Sequence, residues 1–148
     1  MIRLPPKPPR KVTETDIVKQ CLVAINRIPG VRATRNNVGA YRNERGDLHS
    51  YGLGEGSPDI VGIITIGGPR SAIQTKVWNA IREPVAIAFG LEVKRPKLDG
   101  GRDPTPAQRA WAKVASSRGM FCGVTRSEAD AVEMVQSWIW TLGQDLVR

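Results

Sequence analysis

Ser57-Pro58-Asp59-Ile60-Val61-Gly62 and Gly90-Leu91-Glu92-Val93-Lys94 are the two stretches that decide how this chain reads. Each sets a carboxylate on or beside an apolar run of strand-forming residues. Side chains alternate between faces along a strand, so Glu92 and Lys94 leave one face while Leu91 and Val93 turn to the other, toward a core. If the two strands pair, Asp59 and Glu92 converge, with Lys94 beside them. Carboxylate oxygens suit one hard divalent ion, which can activate a water for attack on a phosphodiester.

Working outward, residues 59–66 form a strongly apolar strand that Gly67-Gly68-Pro69 closes. Residues 85–93 form the next strand, and the proline of Arg95-Pro96-Lys97 ends its pairing. The connection at 67–85 does not fit a tight hairpin. With Trp78 and scattered charges, it reads as an insertion between two paired strands.

Helices frame these strands. Thr13-Glu14-Thr15-Asp16 is a capping box with Thr13 as N-cap, and Ile17, Cys21, Leu22 and Ile25 recur at helical spacing until Pro29-Gly30. Glu14 falls in the first turn, where favouring the helix dipole would by itself account for it. Thr105, Pro106 and Gln108 supply an N-cap, an N1 proline and the far end of a second capping box. Trp111, Val114 and Ala115 are that helix's expected buried face, and Gly119 stops it. A short strand at 120–125 follows. Ser127-Glu128-Ala129-Asp130 then caps a last helix with Ala131, Val135, Trp138 and Leu142 on its apolar face and Trp140 off it.

Residues 31–38 read as a strand or extended segment, and a polar stretch runs on through Gly56. This region carries Arg32, Arg35, Arg42 and Arg45 among Asn36, Asn37, Tyr41 and Tyr51. Arginine forks and neutral donors suit phosphate, although a solvated loop has the same composition. Gly52-Leu53-Gly54-Glu55-Gly56 suggests close backbone approach to something. It is not a Walker loop, and no nucleotide cofactor is indicated.

The resulting order is α, β, β, β, α, β, α. It predicts an α/β fold of the mixed α+β kind, a small mixed sheet flanked by helices. Residues 1–12, basic and Pro-rich, read as a flexible arm, and 13–148 as a single domain. The net charge of +8, from 22 Lys and Arg against 14 Asp and Glu, favours a polyanionic partner, though it would also serve as a solubility margin. No apolar run approaches a membrane span, and the N-terminus lacks the apolar centre of a signal peptide. A cytoplasmic setting is expected, in a bacterium or a phage-infected host. Cys21 and Cys122 lack metal-type spacing and read as buried free thiols. His49, the only histidine, sits in a polar loop and supports no histidine-centred mechanism.

The order of elements and the acidic strands resemble the PD-(D/E)xK nuclease superfamily, and more narrowly its VRR-NUC (virus-type replication-repair nuclease) domain. The resemblance covers residues 13–132. It rests on Glu14, Arg35-Asn36 with Gly39, Gly56-Ser57-Pro58-Asp59, Glu92-Val93-Lys94, Thr105-Pro106-Ala107-Gln108, Gly119 and Ser127-x-x-Asp130. The 67–85 segment departs from it, since the family often has a shorter connection there. The resemblance implies a restriction-endonuclease-like αβββαβ core. Asp59 and Glu92 would ligate Mg²⁺ or Mn²⁺ with the Val93 carbonyl, and Glu14 would be a further metal-site carboxylate, acting directly or through water. Lys94 would orient the attacking water or stabilise charge at phosphorus. Gln108 is carried over as a site residue, although its capping role already explains it.

The expectation is a metal-dependent DNA endonuclease. The resemblance implies a homodimer acting on branched DNA such as four-way junctions, with Trp138 and Trp140 as candidates for the subunit contact. Arg32, Arg35, Asn36, Arg42, Arg45, Arg95, Lys97, Arg102 and Arg109 are the candidate DNA contacts. They would read shape and backbone, since no recognition helix or zinc finger is present. Two alternatives remain: a nuclease for flapped or linear DNA, and a non-catalytic DNA-binding module of the same fold.

Overall fold

The computed structural model describes residues 11–73 and 83–144. Nearly all of the basic arm, and the centre of the 67–85 insertion with Trp78, lie outside the described residues. The described chain runs α1 (Glu14–Ile25), β1 (Val31–Arg35), β2 (Gly39–Arg42), β3 (Leu48–Tyr51), β4 (Ile60–Ile66) and β5 (Val85–Val93). A 3₁₀ turn at Lys97–Asp99, α2 (Pro106–Ser116), β6 (Phe121–Thr125) and α3 (Glu128–Gln144) complete it. The fold is mixed α/β, as the residue pattern predicts. Among the described residues, no helix is long and apolar enough to cross a membrane.

Four strands make the main sheet in the order β1-β4-β5-β6, and β2 and β3 pair separately. β1 and β5 run antiparallel to β4, and β6 runs parallel to β5. Alternation sorts the central strands into two faces. On one face Ile60, Ile64, Phe89, Leu91 and Val93 are buried beneath Ile17, Val18, Cys21 and Ile25 of α1 and Ala131 and Val135 of α3. This is the core. Trp138 joins its margin, stacked on Phe121 at 5.4 Å and tilted against Phe89 at 5.8 Å. Trp138 is thus part of the packing, while Trp140 stands 67% exposed.

Local chemistry sets the element ends. Thr13 and Asp16 exchange capping-box hydrogen bonds at the start of α1. Asn26 ends that helix, its side chain donating to Leu22 O at 2.8 Å and accepting from the Ala33 amide at 2.9 Å. One asparagine therefore terminates α1 and fastens β1 beside it. Thr105 and Gln108 form the box that starts α2, with Pro106 in its first turn. The Asp130 amide donates to Ser127 Oγ at the start of α3.

Three expectations need correction. Residues 31–38 are not one strand: β1 stops at Arg35, and the polar stretch beyond holds the β2–β3 hairpin. Its turn is built by Asn43, whose side-chain oxygen accepts the Arg45 and Asp47 amides. Secondly, α2 buries no residue fully, and Val114 is 61% exposed. The helix lies over only the β5–β6 end of the second sheet face, so Trp111 and Ala115 are half-buried. Thirdly, Cys21 is buried but Cys122 is only partly so, because it lines the gap beneath α2.

Candidate active site

The β4–β5 register brings the acidic residues together. Ile60 lies opposite Leu91, so Asp59, one residue earlier, falls opposite Glu92. Asp59 Oδ2 accepts the Val93 amide at 2.8 Å, which fixes the carboxylate at the end of β5. Gly90 makes room for this approach. A Cβ there would stand 2.6 Å from Pro58 Cγ, so only glycine lets Pro58 lie flat on β5.

Glu92 is 6% exposed. Its Oε1 meets Lys94 Nζ at 2.7 Å and accepts from Gln108 Nε2 at 2.5 Å. Burial pushes its carboxyl up to about 7. Lys94 pulls the other way, and the facing Asp59 adds to the rise through its charge and a hydrogen bond. The lysine side chain is itself only 12% exposed, so this ion pair is shielded from water on both sides.

Gln108 connects the site to a helix start. Its Oε1 accepts the Thr105 amide at 2.8 Å, so the cap orients the amide and turns the NH₂ toward Glu92. The capping role and the site role are one geometry. Around this cluster a cavity of about 110 Å³ opens between α2 and the sheet, lined by Pro58, Gly90, Glu92, Gln108, Trp111 and Cys122 among others.

The site residues expected from the sequence divide into two groups. Asp59, Glu92, Lys94 and Gln108 are assembled together, and Val93 reaches Asp59 through its amide. Glu14 stands apart: it is exposed, lines a neighbouring groove with Lys11, Lys94, Arg95 and Arg102, and its carboxylate takes a 3.4 Å bond from the Arg95 amide. Among the described residues, no three His, Cys, Asp or Glu side chains gather as a metal-holding group. The donor set is a carboxylate pair, and the pair suits a hard cation. Two facing carboxylates, one of them buried, offer the oxygen ligands that a hard divalent ion prefers.

The candidate DNA contacts also separate. Arg32, Arg35 and Arg45 are exposed on β1 and the hairpin turn. Arg42 is exposed but bonded to Gly46 O at 2.7 Å, and Lys97 is paired with Asp103 at 3.1 Å. Arg109 donates to Pro104 O, while Arg95 and Arg102 border the groove beside Lys94. Asn36 turns inward. Its Nδ2 donates to Ser57 Oγ at 2.8 Å and to Pro58 O at 2.9 Å.

One feature carried no signal strong enough to read in the sequence. Arg126 ties the segment after β5 in place, donating to Arg95 O at 2.6 Å and to Asp103 Oδ1 at 3.1 Å. The glycine-rich loop does approach backbone closely, but the backbone is the chain's own. Gly56, at φ +81°, would place a Cβ 2.6 Å from Ala107 O of α2.

Comparison with known proteins finds no matching family model, no matching curated protein and no matching solved structure.

Proposed function

We propose that this chain is a divalent-metal-dependent DNA endonuclease of the PD-(D/E)xK type. The observation that carries the reading is the buried Glu92, facing Asp59 across β4–β5 and paired with Lys94 at 2.7 Å. A surface ion pair of this kind would carry little meaning, but this one is enclosed, shares its carboxylate with Gln108 and opens on a cavity. Asp59 and Glu92 are the residues that would hold Mg²⁺ or Mn²⁺, with Val93 as the main-chain member. When bound, the ion supplies Lewis acidity to a phosphoryl oxygen and a water of lowered pKa.

The chain's own groups supply the rest. Lys94 sets its ammonium against Glu92, at the edge of the groove that carries Arg95 and Arg102. There it stabilises charge that grows on phosphate oxygens during displacement. Gln108 fixes the Glu92 oxygen that Lys94 contacts, so carboxylate and ammonium are held before substrate arrives. The exposed arginines of β1 and the hairpin neutralise backbone phosphates and carry no base code. Branched DNA and a homodimer remain the substrate and assembly that the VRR-NUC resemblance favours.

The test is cleavage of a matched panel (four-way junction, flap, linear duplex, single strand) with Mg²⁺ or Mn²⁺, beside a Lys94→Ala control. Metal-dependent junction cutting that is lost in the variant is the expected result. Cutting of flaps or ends alone would keep the chemistry and remove the junction. Salt-sensitive binding with no cutting of any substrate would overturn the enzyme reading in favour of a binding module.

A further inference from the structure

We infer that Asn36 is the positioning residue for Asp59, and that it makes no contact with DNA. The inference rests on the reading of Asp59 as a metal-site carboxylate and deepens it.

Pro58 sets the problem. It has no amide hydrogen, so the chain entering β4 cannot complete a strand ladder one residue before the acidic side chain. Asn36, the first residue after β1, instead holds the acceptors on and beside Pro58. Its own amide donates to Asp59 O at 2.7 Å, extending the β1–β4 pairing by one step. Its side-chain NH₂ donates to both Ser57 Oγ and Pro58 O, and its Oδ1 accepts the Leu53 amide at 3.4 Å. Ser57 Oγ in turn donates to Gly54 O at 2.7 Å.

The Ser57 hydroxyl and the Pro58 and Asp59 carbonyls are thus gripped from the β1 side, while the Asp59 carboxylate is gripped from the β5 side by the Val93 amide. Asp59 is clamped between the two. An amide side chain has only two N–H donors, and both of these face inward, so none remains for a phosphate oxygen. Arg35, the preceding residue, is exposed and has that role open to it.

The experiment compares Asn36→Asp and Asn36→Ala with Arg35→Ala in the full chain, with three readouts. The first is hydrogen exchange of the Val93 amide in protein without DNA or metal, with the Ile64 and Leu91 amides as core references. Both Asn36 variants are expected to raise Val93 exchange at least about tenfold and leave the core references unchanged. The second is the salt dependence of duplex binding. Asn36→Ala is expected to leave affinity within about twofold and the slope unchanged, whereas Arg35→Ala lowers the slope by roughly one. The third is cleavage, where Asn36→Ala is expected to reduce kcat about 10- to 100-fold at unchanged KM.

Unchanged Val93 exchange in both variants would overturn the inference. So would an Asn36→Ala salt slope that falls as the Arg35→Ala slope does. Core amides that lose protection in both variants would overturn it too, by making Asn36 a general fold residue. If the native chain cuts no substrate, the nuclease reading fails by itself, and the exchange result still decides whether Asn36 holds Asp59.

Discussion

Gln108 and Glu92 meet between α2 and β5 at 2.5 Å, and the same glutamine closes the capping box of its helix on Thr105 at 2.8 Å. A residue with both tasks couples the helix start to the site: if α2 frays, Glu92 loses a donor. Substitution can separate the two. Gln108→Glu retains an acceptor for the Thr105 amide but sets a carboxylate against Glu92. Gln108→Ala removes both contacts.

Thermal unfolding and pH-rate profiles should therefore split these variants. Gln108→Ala is expected to cost about 1 kcal/mol of stability, from the lost side-chain bonds. Gln108→Glu is expected to keep the cap, raise the Glu92 carboxyl further through like charge, and shift the rising limb of the rate profile to higher pH. Identical profiles for the two variants would remove Gln108 from the site.

Glu92 also makes stability depend on pH. Its carboxyl titrates at about 7 in the fold against an ordinary 4.5, so the fold binds that proton more tightly than the unfolded chain does. The contribution is complete below about 4.5 and is lost as pH rises through about 7. Urea unfolding without divalent ions is expected to show the loss between about pH 4.5 and 7, and Glu92→Gln is expected to flatten it. Added Mg²⁺ should raise Tm more at pH 8 than at pH 5, because the ion favours the ionised carboxylate. A Tm response to Mg²⁺ that ignores pH would argue against Glu92 as a ligand.

Much of this arrangement is legible in the residues alone, and the reasons are local. β4 and β5 announce themselves as apolar runs, and the Thr13 and Thr105 boxes act within four residues, so pattern and placement agree. The β2–β3 hairpin is hidden because of its eight strand residues only Gly39 is even partly buried, which leaves no apolar alternation to read. Val114 misleads for the opposite reason: α2 is amphipathic, but the sheet beneath covers only part of its face. Asn26 and Asn36 are invisible to periodicity, since their partners are set by the fold.

The loop that delivers Asp59 should be sensitive at one glycine and tolerant at its neighbour. Gly56 has φ +81° and a Cβ would collide with Ala107 O, whereas Gly54, at φ +89°, has open space around it. Gly54→Ala bears only the left-handed backbone cost of about 1 kcal/mol. Gly56→Ala adds displacement of the loop from α2 and is expected to cost roughly 2–3 kcal/mol and to slow cleavage. Denaturant midpoints and single-turnover rates on both variants check this, and equal effects would mean that the α2 contact does not matter.

The two tryptophans of α3 provide the last contrast. Trp138 stacks on Phe121 with planes 12° apart, and its removal would empty space beside Phe89, itself fully buried. Trp138→Ala is expected to cost about 3 kcal/mol by cavity formation, read as a lower urea midpoint at unchanged m. Trp140 is 67% exposed, so Trp140→Ala should alter stability by no more than about 0.5 kcal/mol. Sedimentation of the Trp140 variant then separates two roles for so exposed an indole. A fall from dimer to monomer at constant midpoint would place it at a subunit contact, whereas unchanged sedimentation would leave it a surface side chain and send the search for a dimer face elsewhere.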